Sequence, residues 1–171
     1  TLTPDYLSPT TACIIQDKIK AYKAAAFDIN VACTGFIYAM DIAKQYIMNG
    51  TYKYVLVVGC EGLSRVIDWT DRASCVLLGD AAGAAVLGKV EDGYGIVDTI
   101  IKAEGNLGSA LTIPCCHISD IDRERRPSGN TRSFWMDGSE VYKFATRVMS
   151  QAVLDIIEKT GYTLDDVKLI V

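Results

Sequence analysis

Histidine is nearly absent from this sequence, and the cysteines are poorly spaced for metal. The single histidine, His117, and six cysteines at 13, 33, 60, 75, 115 and 116 include no C-x-x-C pair. That leaves no convincing zinc set, and reduced thiols fit best. No apolar run approaches the roughly 18 residues of a membrane span, so no membrane partner is expected. Neither end reads as a secretory signal, which makes a cytoplasmic home the expectation. Neither a G-x-G-x-x-G nor a P-loop pattern occurs, so the run Gly79-Asp80-Ala81-Ala82-Gly83 is not expected to cradle a phosphate. A net charge of −4 gives no whole-chain reason to bind nucleic acid. The basic cluster Arg123 to Arg126 contains Glu124 and is flanked by Asp120 and Asp122, as in a solvated loop. Internal repeats and low-complexity tracts are missing too, and nothing calls for a cofactor.

What the 171 residues do hold is apolar material, half of the total. Such richness suggests strands covered on both faces or a subunit interface. Residues 25 to 49 organise the chain. Ala26, Phe27, Ile29 and Val31 form an apolar run too short for a helix, while Phe36, Ile37, Ala39, Met40, Ala43, Tyr46 and Ile47 recur at helical spacing. The pattern predicts a short buried strand at 24 to 31 and a helix from 33 to 49, with Cys33 at the switch. A thiol near a first helical turn meets unpaired N–H groups and the positive end of the dipole, which favour a nucleophilic thiolate. Gly35 would let a ligand approach the sulfur. Packing of a small apolar residue is the competing role, and the residues alone leave both open.

Elsewhere, Thr10 or Thr11 is expected to cap a short helix through Ile14, Ile15 and Ile19, and Asn49-Gly50 to end the helix after Cys33. The apolar run 53 to 60 predicts an inner strand of a parallel or mixed sheet. Further strands are expected at 74 to 79 and 83 to 90, joined through the Gly79–Gly83 turn, and at 95 to 103. Residues 104 to 134 form a long Gly- and Pro-punctuated segment of the kind that covers a site. A helix from 138 to 159 ends at Gly161, and 167 to 171 starts another strand. Because that strand stops without a turn, the natural chain is expected to continue.

Asp-Ile-Asn-Val-Ala-Cys-Thr-Gly-Phe, around Cys33, resembles the nucleophile segment of the beta-ketoacyl-acyl-carrier-protein synthase III family in the thiolase-like superfamily. Two further segments agree in order and spacing: Val-Leu-Val-Val-Gly-Cys-Glu-Gly-Leu-Ser-Arg with the following Asp-Trp-Thr-Asp-Arg, and Leu-Leu-Gly-Asp-Ala-Ala-Gly-Ala-Ala-Val-Leu. The resemblance runs to the last residue. It implies an α/β, thiolase-like fold that is only partly represented, with a mixed sheet, a buried nucleophile helix and the start of a second duplicated half. On that basis residues 1–103 are the latter part of the first half, 104–134 a connecting loop region and 135–171 the beginning of the second half.

The resemblance also implies a function. Cys33 would take the acyl group of an acyl-CoA primer and pass it to the carbanion left when malonyl-acyl-carrier protein loses carbon dioxide, the condensing step of bacterial fatty-acid synthesis. The backbone N–H of Cys33 is the expected oxyanion donor. The family's decarboxylation donors, a His and an Asn, are expected beyond Val171, and His117 does not match that histidine. Arg72 matches a position stacking on the adenine of CoA, with an ion pair to Asp68 or Asp71 as its alternative role. Gly138 and Tyr142 match the pantetheine channel, and Leu63, Leu77 and Leu78 match the acyl pocket. Ser8 matches a pocket residue donated by the partner subunit, where a small side chain suggests a roomy pocket. Lys143 matches a basic position near carrier-protein docking. A homodimer follows, with 24 to 31 as its two-fold edge. The glycine turn departs from the family, with Ala81 where Gly is more usual. Two alternatives are a sister condensing enzyme, of polyketide, quinolone or hydroxymethylglutaryl-CoA synthase type, and a non-catalytic acyl-binding or dimerisation module.

Overall fold

A computed structural model of the protein describes residues 1–115, 124 and 132–171. They divide into two compact units, the first made of Thr1–Arg65 with Leu77–Val90 and the second of Val66–Val76 with Glu91–Val171.

In the first unit, helix α1 spans Thr11–Lys18, and the Thr10 hydroxyl accepts a hydrogen bond from the Cys13 N–H. Its opening N–H groups, at Thr11 and Ala12, donate to the Asp28 carboxylate at 2.8 and 2.7 Å. A 3-10 turn, Ala32–Thr34, runs directly into helix α2, Gly35–Met48. Asn49 caps that helix and Gly50 turns away at φ 72°, as the Asn-Gly pair predicts. Strand β1, Tyr54–Gly62, pairs antiparallel with β2, Asp80–Gly88, in an unbroken register from Tyr54↔Gly88 to Gly62↔Asp80.

Packing fixes α2 on this ladder. Ala43 and Val57 are its buried apolar side chains, and the Phe36 ring lies over Gly59 so closely that a Cβ there would stand 3.2 Å from Cδ2. Phe36 is in the first turn of α2, so this contact anchors the end of the helix next to Cys33.

In the second unit, a 3-10 segment at Gly105–Ala110 leads to β3, Leu111–Thr112, which pairs antiparallel with β4, Trp135–Met136. Helix α3, Gly138–Thr160, follows. Asp137 caps it by accepting from the Glu140 N–H, and Gly161 closes it at φ 72°. The segment 66–76 joins this unit through the Phe134 N–H, which donates to the Val66 carbonyl at 2.7 Å. Ile67, Asp68, Ser74, Ser133 and Phe134 are buried.

Several expected strands are not formed. Residues 24–31, 74–79, 95–103 and 167–171 carry no ladder among the described residues, and 74–77 are turn. An apolar run becomes a strand only when another backbone takes up its N–H and C=O groups. Charge holds the 95–103 segment instead: Asp98 pairs with Lys159 at 3.0 Å, Lys102 with Asp155, and Glu104 with Arg147 through two bonds of 2.9 and 2.7 Å. The Gly79–Gly83 turn is also corrected, since Asp80–Gly83 already pair with Gly59–Gly62 as the start of β2. Pairing between β1 and β2 is antiparallel, which excludes the purely parallel sheet and is compatible with the mixed one. Among the described residues α2 buries only Ala43, with Ile37 46% and Met48 69% exposed, so the buried helix of the sequence reading is here half open.

Candidate functional site

Cys33 is exposed, and the backbone that presents it is bent sharply. Val31 lies outside the extended region at φ −133°, ψ 20°, and Ala32 is left-handed at φ 48°. A residue with a Cβ pays about 1–2 kcal/mol for that conformation, so neighbouring contacts must hold it. Two are present: the Thr34 hydroxyl donates to the Val31 carbonyl at 3.2 Å, and the Gly35 N–H donates to the Ala32 carbonyl. The elbow turns Cys33 out at the start of α2. Neither the 3-10 turn nor the first turn of α2 contains an acidic residue. The positive helix end therefore meets no opposing carboxylate from its own first turn, and an entrance of that sign attracts negative charge.

Leu63 is half-buried in the 3-10 turn Leu63–Arg65. That turn is held from β2: the Asp80 carboxylate accepts the Ser64 N–H at 2.7 Å and its hydroxyl at 2.6 Å. The Ser64 hydroxyl, then its N–H, keep the Asp80 carboxyl below the ordinary carboxylate value. Asp80 thus fastens the Leu63 turn. Leu77 is exposed, Leu78 half-buried, and Ser8 lies in the fully exposed stretch 5–9. Ser8-Pro9 is a cis bond. All of these residues belong to the first unit.

Arg72, Gly138, Tyr142 and Lys143 belong to the second. Arg72 is exposed on the 66–76 loop, and it makes no ion pair with Asp68 or Asp71. The two carboxylates bind their own loop: Asp68 accepts the Thr70 N–H and hydroxyl at 3.0 and 2.6 Å, and Asp71 accepts the Ala73 N–H and Ser74 hydroxyl at 3.0 and 2.6 Å. Such side-chain turns stiffen a loop without consuming the guanidinium. Gly138 opens α3, Tyr142 follows one turn later and is 70% exposed, and Lys143 pairs with Glu140 at 2.8 Å. The hydrogen bond from Lys143 to the Glu140 carboxylate raises the ammonium's pKa. A Cβ at Gly138 would meet only Met136 at 3.8 Å, so the glycine is not demanded by packing. A cavity of about 370 Å³ lined by Asn106, Leu107, Ser109, Ala110, Trp135, Asp137 and Glu140 includes none of the expected site residues. Asn106 and Glu140 carried no motif by which sequence reasoning could find it.

Among the described residues there is no cluster of His, Cys, Asp and Glu able to hold a metal, and no helix is long and apolar enough to cross a membrane. His117 and Arg123, Arg125 and Arg126 lie outside the described residues.

With this geometry in place, comparison with known proteins is direct. Residues 27–105 match the family model for 3-oxoacyl-[acyl-carrier-protein (ACP)] synthase III. A beta-ketoacyl-[acyl-carrier-protein] synthase III from Caldanaerobacter subterraneus subsp. tengcongensis is 44% identical over 171 residues, which are 100% of this chain and 52% of that protein. The protein of the same name from Clostridium perfringens is 43% identical over 172 residues, with 100% and 52% covered. The crystal structure of the synthase III from Thermus thermophilus superimposes with a TM-score of 0.86 at 43% identity, over 98% of this chain and 50% of that one. A priming beta-ketosynthase of a polyketide biosynthetic pathway superimposes with a TM-score of 0.82 at 32% identity, over 96% and 48%. The chain spans about half the length of the curated relatives it matches.

Proposed function

We propose that the chain, whose residues 27–105 match the family model for 3-oxoacyl-[acyl-carrier-protein (ACP)] synthase III, belongs to that family and that Cys33 is the nucleophile of a decarboxylative condensation. The thiolate attacks the thioester carbonyl of an acyl-CoA, the tetrahedral oxyanion collapses with cleavage of the carbon–sulfur bond to CoA, and CoA leaves as its thiolate, which takes a proton from solvent. Sulfur suits the step, since the resulting thioester on Cys33 keeps the acyl group activated. Malonyl-acyl-carrier protein then loses carbon dioxide, its α-carbon attacks the acyl carbonyl, and 3-oxoacyl-carrier protein departs as Cys33 is freed. The Cys33 N–H serves as one oxyanion donor.

One observation carries the reading: Cys33 stands exposed on a left-handed elbow at the start of α2, inside the matched segment 27–105. The guanidinium of Arg72, which makes no ion pair among the described residues, supports adenine stacking of CoA. Gly138 and Tyr142 line the pantetheine arm, Leu63, Leu77 and Leu78 the acyl pocket, with Ser8 supplied by the partner subunit of a homodimer, and Lys143 meets the carrier protein. The division at residues 103 and 134, and a cytoplasmic location, belong to the same reading.

The test is acylation of the full-length protein with radiolabelled acetyl-CoA. Label is expected on Cys33 and absent from Cys33→Ser; undiminished labelling of that variant removes the assignment. Likeness to the polyketide priming enzyme supports a second reading, a sister condensing enzyme with the same cysteine. Profiling acyl primers and extender units separates the two. A cysteine that merely packs would react slowly with iodoacetamide and take no acyl group.

A further inference from the structure

The exposed loop carrying Ser8 has no hydrogen-bonded frame of its own. From Pro4 to Pro9 no backbone group bonds to another backbone group among the described residues, and Asp5 to Pro9 are all exposed. Its conformation must be imposed from its ends, and two carboxylates hold those ends.

Before the loop, the Glu61 carboxylate accepts the Leu2 N–H at 2.8 Å, the Thr3 N–H at 3.1 Å and the Thr3 hydroxyl at 2.7 Å. The same hydroxyl oxygen accepts the Gly62 N–H at 2.8 Å, and Thr3 is buried. Arg65 extends the clamp by donating to the Thr3 carbonyl and to the Asp5 carboxylate. After the loop, Asp28 accepts the Thr11 and Ala12 N–H groups. Hydrogen bonds to an ionised acceptor are among the stronger ones available.

Both clamps come from elements that frame Cys33. Glu61 lies on β1 two residues beyond Gly59, the seat of Phe36, and Asp28 lies five residues before Cys33 on the segment leading to the elbow. We propose that Glu61 and Asp28 are positioning residues that fix the Ser8 loop to the framework of its own protomer, thereby placing Ser8 in the acyl pocket of the partner subunit and setting which acyl primers the enzyme accepts. The inference rests on the reading of Ser8 as a pocket wall given above. Neither carboxylate touches substrate; each acts through the loop.

The experiment uses the full-length protein and the variants Glu61→Gln, Asp28→Asn and Asp155→Asn, the last a control that removes an ion pair of the second unit. Gln keeps the size of Glu61 but replaces one acceptor oxygen with an NH2 group facing the Thr3 donors. Amide hydrogen exchange is expected to accelerate about tenfold or more at Leu2, Thr3 and Gly62 in Glu61→Gln and at Thr11 and Ala12 in Asp28→Asn, the amides that the two clamps bond, and at none of them in the control. The ratio of kcat/KM for a six-carbon acyl-CoA to that for acetyl-CoA is expected to move about threefold or more. Iodoacetamide modification of Cys33 should keep its wild-type rate. A merely structural loss would lower activity with both primers together and leave their ratio alone. Unchanged exchange, or an unchanged ratio in variants that still acylate Cys33, overturns the proposal alone. Failure of the wild type to acylate Cys33 overturns the function on which it rests. Should Glu61→Gln not fold, Thr3→Val removes the shared hydroxyl at nearly constant volume and carries the same comparison.

Discussion

Ala32 offers a direct measure of what it costs to present Cys33. Its φ of 48° lies where an L-residue is disfavoured by about 1–2 kcal/mol. The side chain is exposed, so substitution there changes little buried area and isolates the backbone term. Ala32→Gly removes that penalty while adding about 0.4–1 kcal/mol of unfolded-state entropy, which leaves a net gain of roughly 0.5–1 kcal/mol. Ala32→Val should lose about 1 kcal/mol or more, because a β-branched side chain fits the left-handed region worse than alanine does. Chemical denaturation of the full-length protein reads both. Lys20, exposed at φ 58° after α1, is an internal check, and Lys20→Gly should gain by a similar amount. The functional arm runs the other way: a glycine elbow no longer holds the thiol, so acylation of Cys33 should slow by up to about tenfold. If Ala32→Val matches the wild type in stability while Ala32→Gly gains nothing, residue 32 is not left-handed in the folded protein and the elbow argument fails.

Gly59→Val should be worse than Gly59→Ala, since even one Cβ would sit 3.2 Å from the Phe36 ring. A loss of about 1–3 kcal/mol in thermal or denaturant melts, with slower Cys33 alkylation, is expected; a neutral Val would show that Phe36 does not anchor the start of α2. Hydrogen bonds from Arg147 hold the Glu104 carboxyl below its ordinary value of 4.5, so its contribution to stability is complete above that pH and lost as pH falls through the depressed value. Glu104→Gln should therefore flatten the acid limb of a stability-versus-pH curve below 4.5, and an unchanged limb would remove the ion pair from the account.

The helices were legible because their signals are local. Thr10 caps α1, Asn49-Gly50 ends α2, and Gly161 ends α3, each by chemistry contained within a turn of the chain. Strand β1 was legible from its apolar run, but its partner and direction were not, because nothing in Tyr54–Gly62 names Asp80–Gly88 as the neighbour. The stretches at 24–31, 74–79, 95–103 and 167–171 show the limit of reading hydrophobicity alone. Apolar side chains report a preference for burial, whereas a strand is a relation between two backbones. Cys33 was placed at the strand-to-helix switch by the change of period, and the structure places it at a turn-to-helix switch instead. Glu61, Asp28 and Asp80 were missed as organising groups. Their signal was there in Cys60-Glu61-Gly62 and Phe27-Asp28-Ile29, where a single carboxylate interrupts an apolar run and needs donors supplied from elsewhere.

The path of the chain through its two units carries a last consequence. It leaves the first unit after Arg65, returns at Leu77 and leaves again after Val90. No single proteolytic nick can release either unit as one uninterrupted polypeptide, and removing everything beyond Val90 would still leave residues 66–76 behind without the rest of their own unit. A library of nested deletions should accordingly yield soluble, protease-resistant products in neither direction, whereas a circularly permuted gene opened within 66–76 would keep every residue while breaking the link between β1 and β2.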